Sequence, residues 1–107
     1  MGLLLTEDLL EFDGFDAGGG EMYKYNGQPF TGIIVEYYSN GNVAAEEEFV
    51  NGYRNGVQRR YFQNNQKQEE FNIKFNRIEG TFKIWDSSGN LKSESIWKDG
   101  DCIQVIL

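Results

Sequence analysis

The feature that most constrains the fold of this chain is a 24-residue repeat, marked by Gly32, Gly56 and Gly80. An aromatic residue stands five positions after each glycine, a glutamate fourteen after and a bulky apolar residue seventeen after. These columns contain Tyr37, Tyr61 and Trp85; Glu46, Glu70 and Glu94; and Phe49, Ile73 and Trp97. Several columns in one register indicate stacked copies of one supersecondary unit.

Each unit has the pattern of a β-hairpin. Asn40-Gly41, Asn64-Asn65 and Ser88-Gly89 accept the positive φ angles of a tight turn. Between hairpins, Asn51-Gly52, Phe75-Asn76 and Asp99-Gly100 mark a second set of turns. We therefore predict an all-β fold, a single-domain antiparallel meander of repeated β-hairpins. The predicted strands run from about Ile33 to Tyr38, Val43 to Phe49, Val57 to Phe62, Lys67 to Ile73, Thr81 to Asp86 and Leu91 to Trp97.

One domain is expected over residues 1–107, because a chain of this length builds one core. Residues 1–31 are assigned to an N-terminal cap and partial repeat, 32–55, 56–79 and 80–101 to repeats, and 102–107 to a C-terminal tail. Within the cap we expect strands at Leu9 to Phe12 and Glu21 to Tyr25, and a flexible loop at Asp16 to Gly20. Glycines expected at positions where φ is positive or a side chain would clash are Gly32, Gly41, Gly52, Gly56, Gly80, Gly89 and Gly100.

The charge balance narrows the choice of partners. Ten basic and seventeen acidic residues give a net charge of -7, which repels phosphate backbones and anionic lipid surfaces. Nucleic-acid and membrane partners are therefore not expected, and a basic protein becomes an attractive partner. The alternative is that the charge only maintains solubility.

The chain lacks the residues of common catalytic sites. It contains no histidine, which excludes Ser-His and Cys-His nucleophile pairs and His-containing zinc sites. Neighbours in the run Glu46-Glu47-Glu48 point to opposite faces of a strand, so they do not form a paired-carboxylate site. We expect no enzyme activity, no catalytic residues, no metal site and no cofactor.

The single Cys102 requires no oxidising compartment, so a cytoplasmic location is expected. The start of the chain lacks a basic region and meets acids at Glu7 and Asp8, which argues against a signal peptide or a membrane span. The segment Met1 to Thr6 fits the myristoylation pattern, but that pattern is permissive.

The repeats resemble a known family. Pro29-Phe30-Thr31-Gly32, Glu36-Tyr37-Tyr38-Ser39-Asn40-Gly41, Glu46 and Asn51-Gly52 resemble the MORN-repeat variant of YwqK-type antitoxins, over roughly residues 9 to 100. Asn65 and Phe75-Asn76 depart from the usual turn residues. The resemblance implies binding rather than catalysis: an immunity or antitoxin protein that neutralises a cognate bacterial toxin by stoichiometric binding. The alternative it implies is a structural or adaptor scaffold.

The register of a two-residue turn at Asn40-Gly41 assigns the faces, because it sets Val35 opposite Glu46, Tyr37 opposite Ala44 and Tyr38 opposite Val43. The predicted core face contains Ile34, Tyr38, Val43, Phe49, Phe62, Phe71, Ile73, Phe82, Ile84, Leu91 and Trp97. The other face is aromatic and acidic, as expected of a surface that anchors a partner by rings and selects it by charge.

The candidate partner-binding residues are Glu36, Tyr37, Glu46, Glu47, Glu48, Tyr61, Glu70 and Trp85. The expected partner is a basic toxin such as a nuclease domain, and the free protein is expected to be a monomer. The competing interpretation is structural, since Glu70 opposes Arg59 and Glu94 opposes Lys83 as ordinary cross-strand pairs, whereas Glu46 opposes Val35.

Overall fold

The computed structural model describes residues 3–107 and confirms the all-β prediction. Met1 and Gly2, which begin the myristoylation-like pattern, lie outside the described residues. The strands are β1 Leu3–Leu5, β2 Glu11–Phe15, β3 Glu21–Tyr25, β4 Gln28–Pro29, β5 Gly32–Tyr37, β6 Val43–Val50, β7 Tyr53–Tyr61, β8 Lys67–Lys74, β9 Arg77–Trp85, β10 Leu91–Lys98 and β11 Asp101–Val105. A 3-10 turn covers Glu7–Leu9.

The strands form an eight-stranded sheet in the order β1-β5-β6-β7-β8-β9-β10-β11 and a three-stranded sheet in the order β2-β3-β4. From β5 onward every neighbour in the large sheet is antiparallel, as a meander of hairpins requires. Three strands were not predicted, namely β4 of the small sheet and two strands of the large sheet. β1 pairs parallel with β5, and β11 occupies positions that we assigned to the end of the last repeat and the tail.

The second set of turns is confirmed. In Asn51-Gly52, Phe75-Asn76 and Asp99-Gly100 both residues have positive φ, between 49° and 89°, which is the geometry of two-residue type I′ turns. The turns also repeat their backbone contacts at the 24-residue step. The N–H groups of Gly52, Asn76 and Gly100 donate to the carbonyl oxygens of Phe30, Arg54 and Ile78 at 2.7, 3.2 and 2.9 Å. The unusual Phe75-Asn76 therefore keeps the geometry of the other two turns.

The turns inside the hairpins are one residue longer than predicted. The N–H of Gly41 donates to the Tyr38 carbonyl (2.9 Å) and the N–H of Tyr38 to the Asn42 carbonyl (2.8 Å), which closes a loop with Gly41 at a φ of 89°. Such a loop adds a bulge to the hairpin. Tyr37 consequently lies opposite Val43 instead of Ala44, while Val35 still lies opposite Glu46.

The same closure recurs at 62–66 and 86–90, and it corrects the predicted core. Val43 lies opposite Tyr37 and Leu91 opposite Trp85, so both belong to the aromatic and acidic face. Tyr38 and Phe62 follow the last residues of β5 and β7 and form the bases of their loops.

The predicted flexible loop at 16–20 is wrong, because this segment is a hairpin turn of the same kind. The N–H of Gly19 donates to the Asp16 carbonyl (3.0 Å), and that of Asp16 to the Gly20 carbonyl (2.9 Å). The Asp16 carboxylate also accepts N–H groups of Gly18 and Gly20 at 2.9 and 2.7 Å. The pKa of Asp16 is lowered, and the hydrogen bond from the Gly20 N–H is the largest cause. β2 and β3 thus form a further hairpin; β3 matches its prediction, and β2 begins two residues later than the predicted capping strand.

The small sheet covers one face of the large sheet near β5 and β6, which we call the core face. Its centre is Phe30, Ile34 and Phe49, each at most 3% exposed. Leu10, Tyr23 and Tyr25 from the N-terminal segment pack against this centre. Farther along the core face, Phe71 stacks on Phe82 with ring centroids 4.7 Å apart, and Phe82 lies 6.1 Å from Trp97.

Arg54 joins the two sheets. Its guanidinium donates to Glu47 at 3.0 Å and to Glu21 of β3 at 3.2 Å. It also lies 5.4 Å from the ring centroids of both Tyr23 and Phe49, within the range of a cation–π contact. Burial lowers the pKa of Arg54, but the hydrogen bonds that its guanidinium donates to Glu47 and Glu21 outweigh burial, so the pKa is raised overall.

The repeat glycines do not share one geometry. Gly56 and Gly80 have φ angles of 107° and 85°, as predicted, whereas Gly32 at 157° is close to extended. At Gly56 an added Cβ would also meet the carboxyl group of Glu48. Gly56 therefore fits the prediction on both grounds.

Candidate partner-binding face

The face of the large sheet away from the small sheet, which we call the repeat face, is organised around one row of side chains. In register across β6 to β10 this row contains Glu46, Arg59, Glu70, Lys83 and Glu94. The charges alternate in sign from strand to strand. Arg59 and Lys83, which are one repeat apart, alternate with the glutamates of the repeat column. Opposite charges on neighbouring strands stabilise a sheet.

Glu70 is bound within this row. Its carboxylate accepts hydrogen bonds from Arg59 Nε at 2.7 Å and Lys67 Nζ at 3.1 Å. Burial raises the pKa of Glu70, but the hydrogen bonds from Arg59 and Lys67 outweigh it, so the pKa is lowered overall. Each ion pair is partly exposed and contributes well under about 1 kcal/mol. For Glu70 the cross-strand pairing predicted as the competing interpretation is therefore present.

Glu46 also has partners, contrary to the expectation that Val35 alone stands opposite it. β7 places Arg59 across from Glu46 on its other side. The Tyr61 hydroxyl donates to the Glu46 carboxylate at 2.6 Å. Burial, and after it the bond to this carboxylate, raises the pKa of Tyr61 to about 12.

Replacing Glu46 by Gln is expected to lower the Tyr61 pKa, while burial keeps it above the ordinary value of 10.0. The pKa of Tyr61 is higher in the folded protein than in the unfolded chain. The protonated Tyr61 hydroxyl therefore contributes fully to stability below the unfolded pKa, and this contribution is lost as the pH rises through about 12. NMR titration of ¹³C-labelled tyrosine measures the change. Glu94→Gln, in the same column but without a bond to Tyr61, should leave the titration unchanged. An unaltered Tyr61 titration in Glu46→Gln would contradict the assigned bond.

The aromatic column does not form a continuous stack. Tyr37, Tyr61 and Trp85 lie on β5, β7 and β9, so each is two strands, or about 10 Å, from the next. Intervening strands contribute other side chains, and Lys67 Nζ lies 5.4 Å from the Trp85 ring centroid. Tyr37 is the most accessible of the three rings, with 53% of its surface exposed.

The register separates the predicted binding residues into two groups. Tyr37, Glu46, Glu48, Tyr61, Glu70 and Trp85 share the repeat face. Glu36 and Glu47 lie on the core face, because their partners across β5 and β6 are Ala45 and Ile34. Glu47 is bound there by Arg54. The eight candidate residues therefore do not share one face, as the alternation of neighbouring strand residues requires.

Two features were missed by the sequence analysis. Hydrogen bonds join the successive hairpin loops at one end of the strands into a ladder. Asn40 Nδ2 donates to the Gln63 carbonyl (3.3 Å) and Asn64 Nδ2 to the Ser87 carbonyl (2.9 Å). The equal 24-residue spacing of these asparagines was a usable signal. Arg54 was missed as well, although it is the charged member of a column whose other members are Phe30 and Ile78.

Among residues 3–107 no group of three or more His, Cys, Asp or Glu side chains is arranged to hold a metal ion. In the same part of the chain, no helix has the length and apolar character needed to cross a membrane.

The hairpin ladder, the two sets of turns and the row of alternating charges define an open-sheet protein built from stacked β-hairpin repeats. A comparison with family models matches the MORN repeat variant at residues 30–51, 54–74 and 78–99. The chain therefore belongs to the MORN repeat variant family, whose repeats serve as scaffolds or binding modules. No curated protein and no solved structure matches the chain.

Proposed function

We propose that this protein is an immunity protein that binds a cognate bacterial toxin domain stoichiometrically in the cytoplasm and neutralises it. The observation that carries the proposal is the surface formed by Tyr37, Glu46 and Glu48 at the β5–β6 end of the repeat face. Neither Glu46 nor Glu48 forms an ion pair with Lys or Arg in the described residues, whereas Glu70 farther along the face forms two.

This surface suits a basic partner such as a nuclease domain. Glu46 lies across from Arg59 and accepts the Tyr61 hydroxyl, but among the described residues neither it nor Glu48 is in an ion pair. In a chain of net charge -7, two such carboxylates attract positive side chains over a distance and speed association. The accessible Tyr37 ring supplies an apolar contact of the kind that anchors interfaces. Glu70, which Arg59 and Lys67 already bind, gives such a partner less to bind.

Reversing Glu46 and Glu48 to Lys is expected to slow association with the toxin about tenfold or more, because the steering charge changes sign. Wild-type association should itself slow as salt rises. Stopped-flow kinetics with the purified product of the neighbouring toxin gene, together with growth protection on co-expression, measures both effects. Glu47 is kept, because its charge is bound to Arg54 on the other face.

The matched control is the pair Asp8→Lys and Glu11→Lys, which changes the net charge equally on exposed positions of the N-terminal segment. It should slow association far less. Tyr37→Ala should instead speed dissociation, since buried rings supply much of the holding energy. Folded variants of the repeat face that bind and protect like wild type would show that the toxin binds elsewhere.

A structural or adaptor scaffold is the second candidate function. The ion pairs of Glu70 with Arg59 and Lys67 favour it, because charges that are already paired within the sheet contribute rigidity rather than recognition. Gene context separates the two functions: a position directly downstream of a large secreted protein with a variable C-terminal domain supports immunity. Loss of growth protection when this protein is absent would also support immunity.

A further inference from the structure

β11 forms one edge of the large sheet. It pairs with β10 on one side, and in the described residues no strand pairs with its other side. The N–H of Ile106 donates to the Glu94 carbonyl at 2.8 Å. Because backbone groups alternate in direction along a strand, the N–H and C=O of Val105 point toward the free side. An unpaired edge of this kind is a template for another strand.

The side chains at this edge are apolar and accessible. Ile103, Val105, Ile106 and Leu107 are 61%, 72%, 52% and 56% exposed, so four of five consecutive residues present apolar surface. Edge strands that avoid pairing usually carry lysine, proline or other charges. Residues 102–107 contain no charged side chain and no proline.

The charge distribution favours a second copy of this chain over a basic partner at this edge. With a net charge of -7, two copies repel one another across most of their surfaces. The segment from Cys102 to Leu107 is a place where two copies meet without opposing Asp or Glu side chains. A basic partner, by contrast, finds no acid there with which to pair.

We propose that the free edge of β11 pairs antiparallel with the same edge of a second copy, centred on Val105, and joins two large sheets into one. In this register Val105 opposes Val105 of the second copy and supplies the new backbone bonds. Ile103 opposes Leu107, whose N–H and C=O already bond to Glu94 of β10, so these two residues contribute apolar side chains beside the pair. Asp101 lies outside the paired segment. The sequence predicted that the free protein is a monomer. That prediction did not consider β11, because the strand itself was not predicted.

The test uses the self-opposed position. Sedimentation equilibrium of the wild-type protein should give a dimer dissociation constant between about 1 µM and about 1 mM, the range expected of a small interface. Val105→Lys and Val105→Asp should each weaken dimerisation at least about tenfold, because like charges then stand directly opposite. An equimolar mixture of the two variants should recover dimers, since lysine then faces aspartate.

Phe15→Lys is the matched control, since Phe15 is 63% exposed but lies in the small sheet. It should dimerise like wild type. Melting curves confirm that each variant is folded, and Val105→Thr provides a milder change if either charged variant is not. A monomeric wild type, oligomers that grow without limit, a dimer unaffected by Val105→Lys, or a folded mixture that stays monomeric would each overturn the proposal.

Discussion

Gly52→Ala is expected to destabilise the protein by about 3 kcal/mol, and to lower the melting temperature by about 15 °C, for two reasons that add. Gly52 has a φ of 89°, which costs an L-residue about 1–2 kcal/mol. An alanine Cβ at this position would also lie 2.8 Å from the backbone carbonyl oxygen of Tyr23. Backbone cannot move aside as a flexible side chain can.

The position matters because Gly52 is a joint between the two sheets. Its N–H donates to the Phe30 carbonyl at 2.7 Å, and its carbonyl accepts the N–H of Tyr23 at 2.8 Å. Relieving the contact therefore requires β3 to move away from Gly52, which weakens both bonds and opens the core around Phe30.

Gly100→Ala is the matched control. Gly100 occupies the same position of its turn, with a φ of 87°, but the nearest atom to an added Cβ is a side-chain carbon of Arg77 at 4.0 Å. It should lose only the conformational part, about 1–2 kcal/mol. Thermal and urea unfolding of both variants give the difference. Equal losses would mean that the close approach of Tyr23 is unimportant.

Arg54→Met is expected to cost about 2–3 kcal/mol, because it leaves two carboxylates without their cation and removes a contact between the sheets. Glu47 is the less accessible of the two, with 20% of its side chain exposed. Methionine keeps the length and the apolar contact with Tyr23 and Phe49, so the loss reports mainly on the charge. Urea unfolding measures it.

Arg59→Met is the control, because Arg59 pairs with Glu70 at 2.7 Å on the repeat face but connects only neighbouring strands. It should cost under about 1 kcal/mol.

The destabilisation caused by Arg54→Met should also depend on pH. The Tyr23 hydroxyl first, and Arg54 after it, lower the pKa of Glu21. This stabilisation is therefore present above the unfolded pKa and is lost as the pH falls through the folded one. Equal losses in both variants, independent of pH, would contradict the role of Arg54.

The sequence predicted those parts of the fold that the repeat itself encodes. The glycine, aromatic and glutamate columns located the hairpins, and Asn51-Gly52 and its equivalents located the type I′ turns, because turn chemistry is local. The pairing of Val35 with Glu46 and of Arg59 with Glu70 followed from the same register. These contacts join residues of the same or adjacent strands.

The rest depends on contacts between distant segments. Nothing near Arg54 in the sequence indicates that Glu21 will reach it, 33 residues away. The hairpin loops could be misread by one residue because Asn40-Gly41 suits both a two-residue turn and the last positions of a longer loop. That single residue moved Val43 and Leu91 to the other face. Glu36 and Glu47 entered the list of candidate residues by charge, without an assigned face, and the register places them on the core face.

The small sheet covers only one end of the array, and this makes the molecule asymmetric in its local unfolding. In a stack whose units touch only their neighbours, stability is a sum of intrinsic and nearest-neighbour terms, and uncovered ends fray first. The units nearest β5 share the core of Phe30, Ile34 and Phe49 with the N-terminal hairpin, whereas β10 and β11, in the part of the chain that the structure describes, pair within the large sheet without such a cover. We therefore expect amides of β11 to open more often than those of β5 and β6. Contacts made by Glu46 and Glu48 would rest on the most persistent part of the chain.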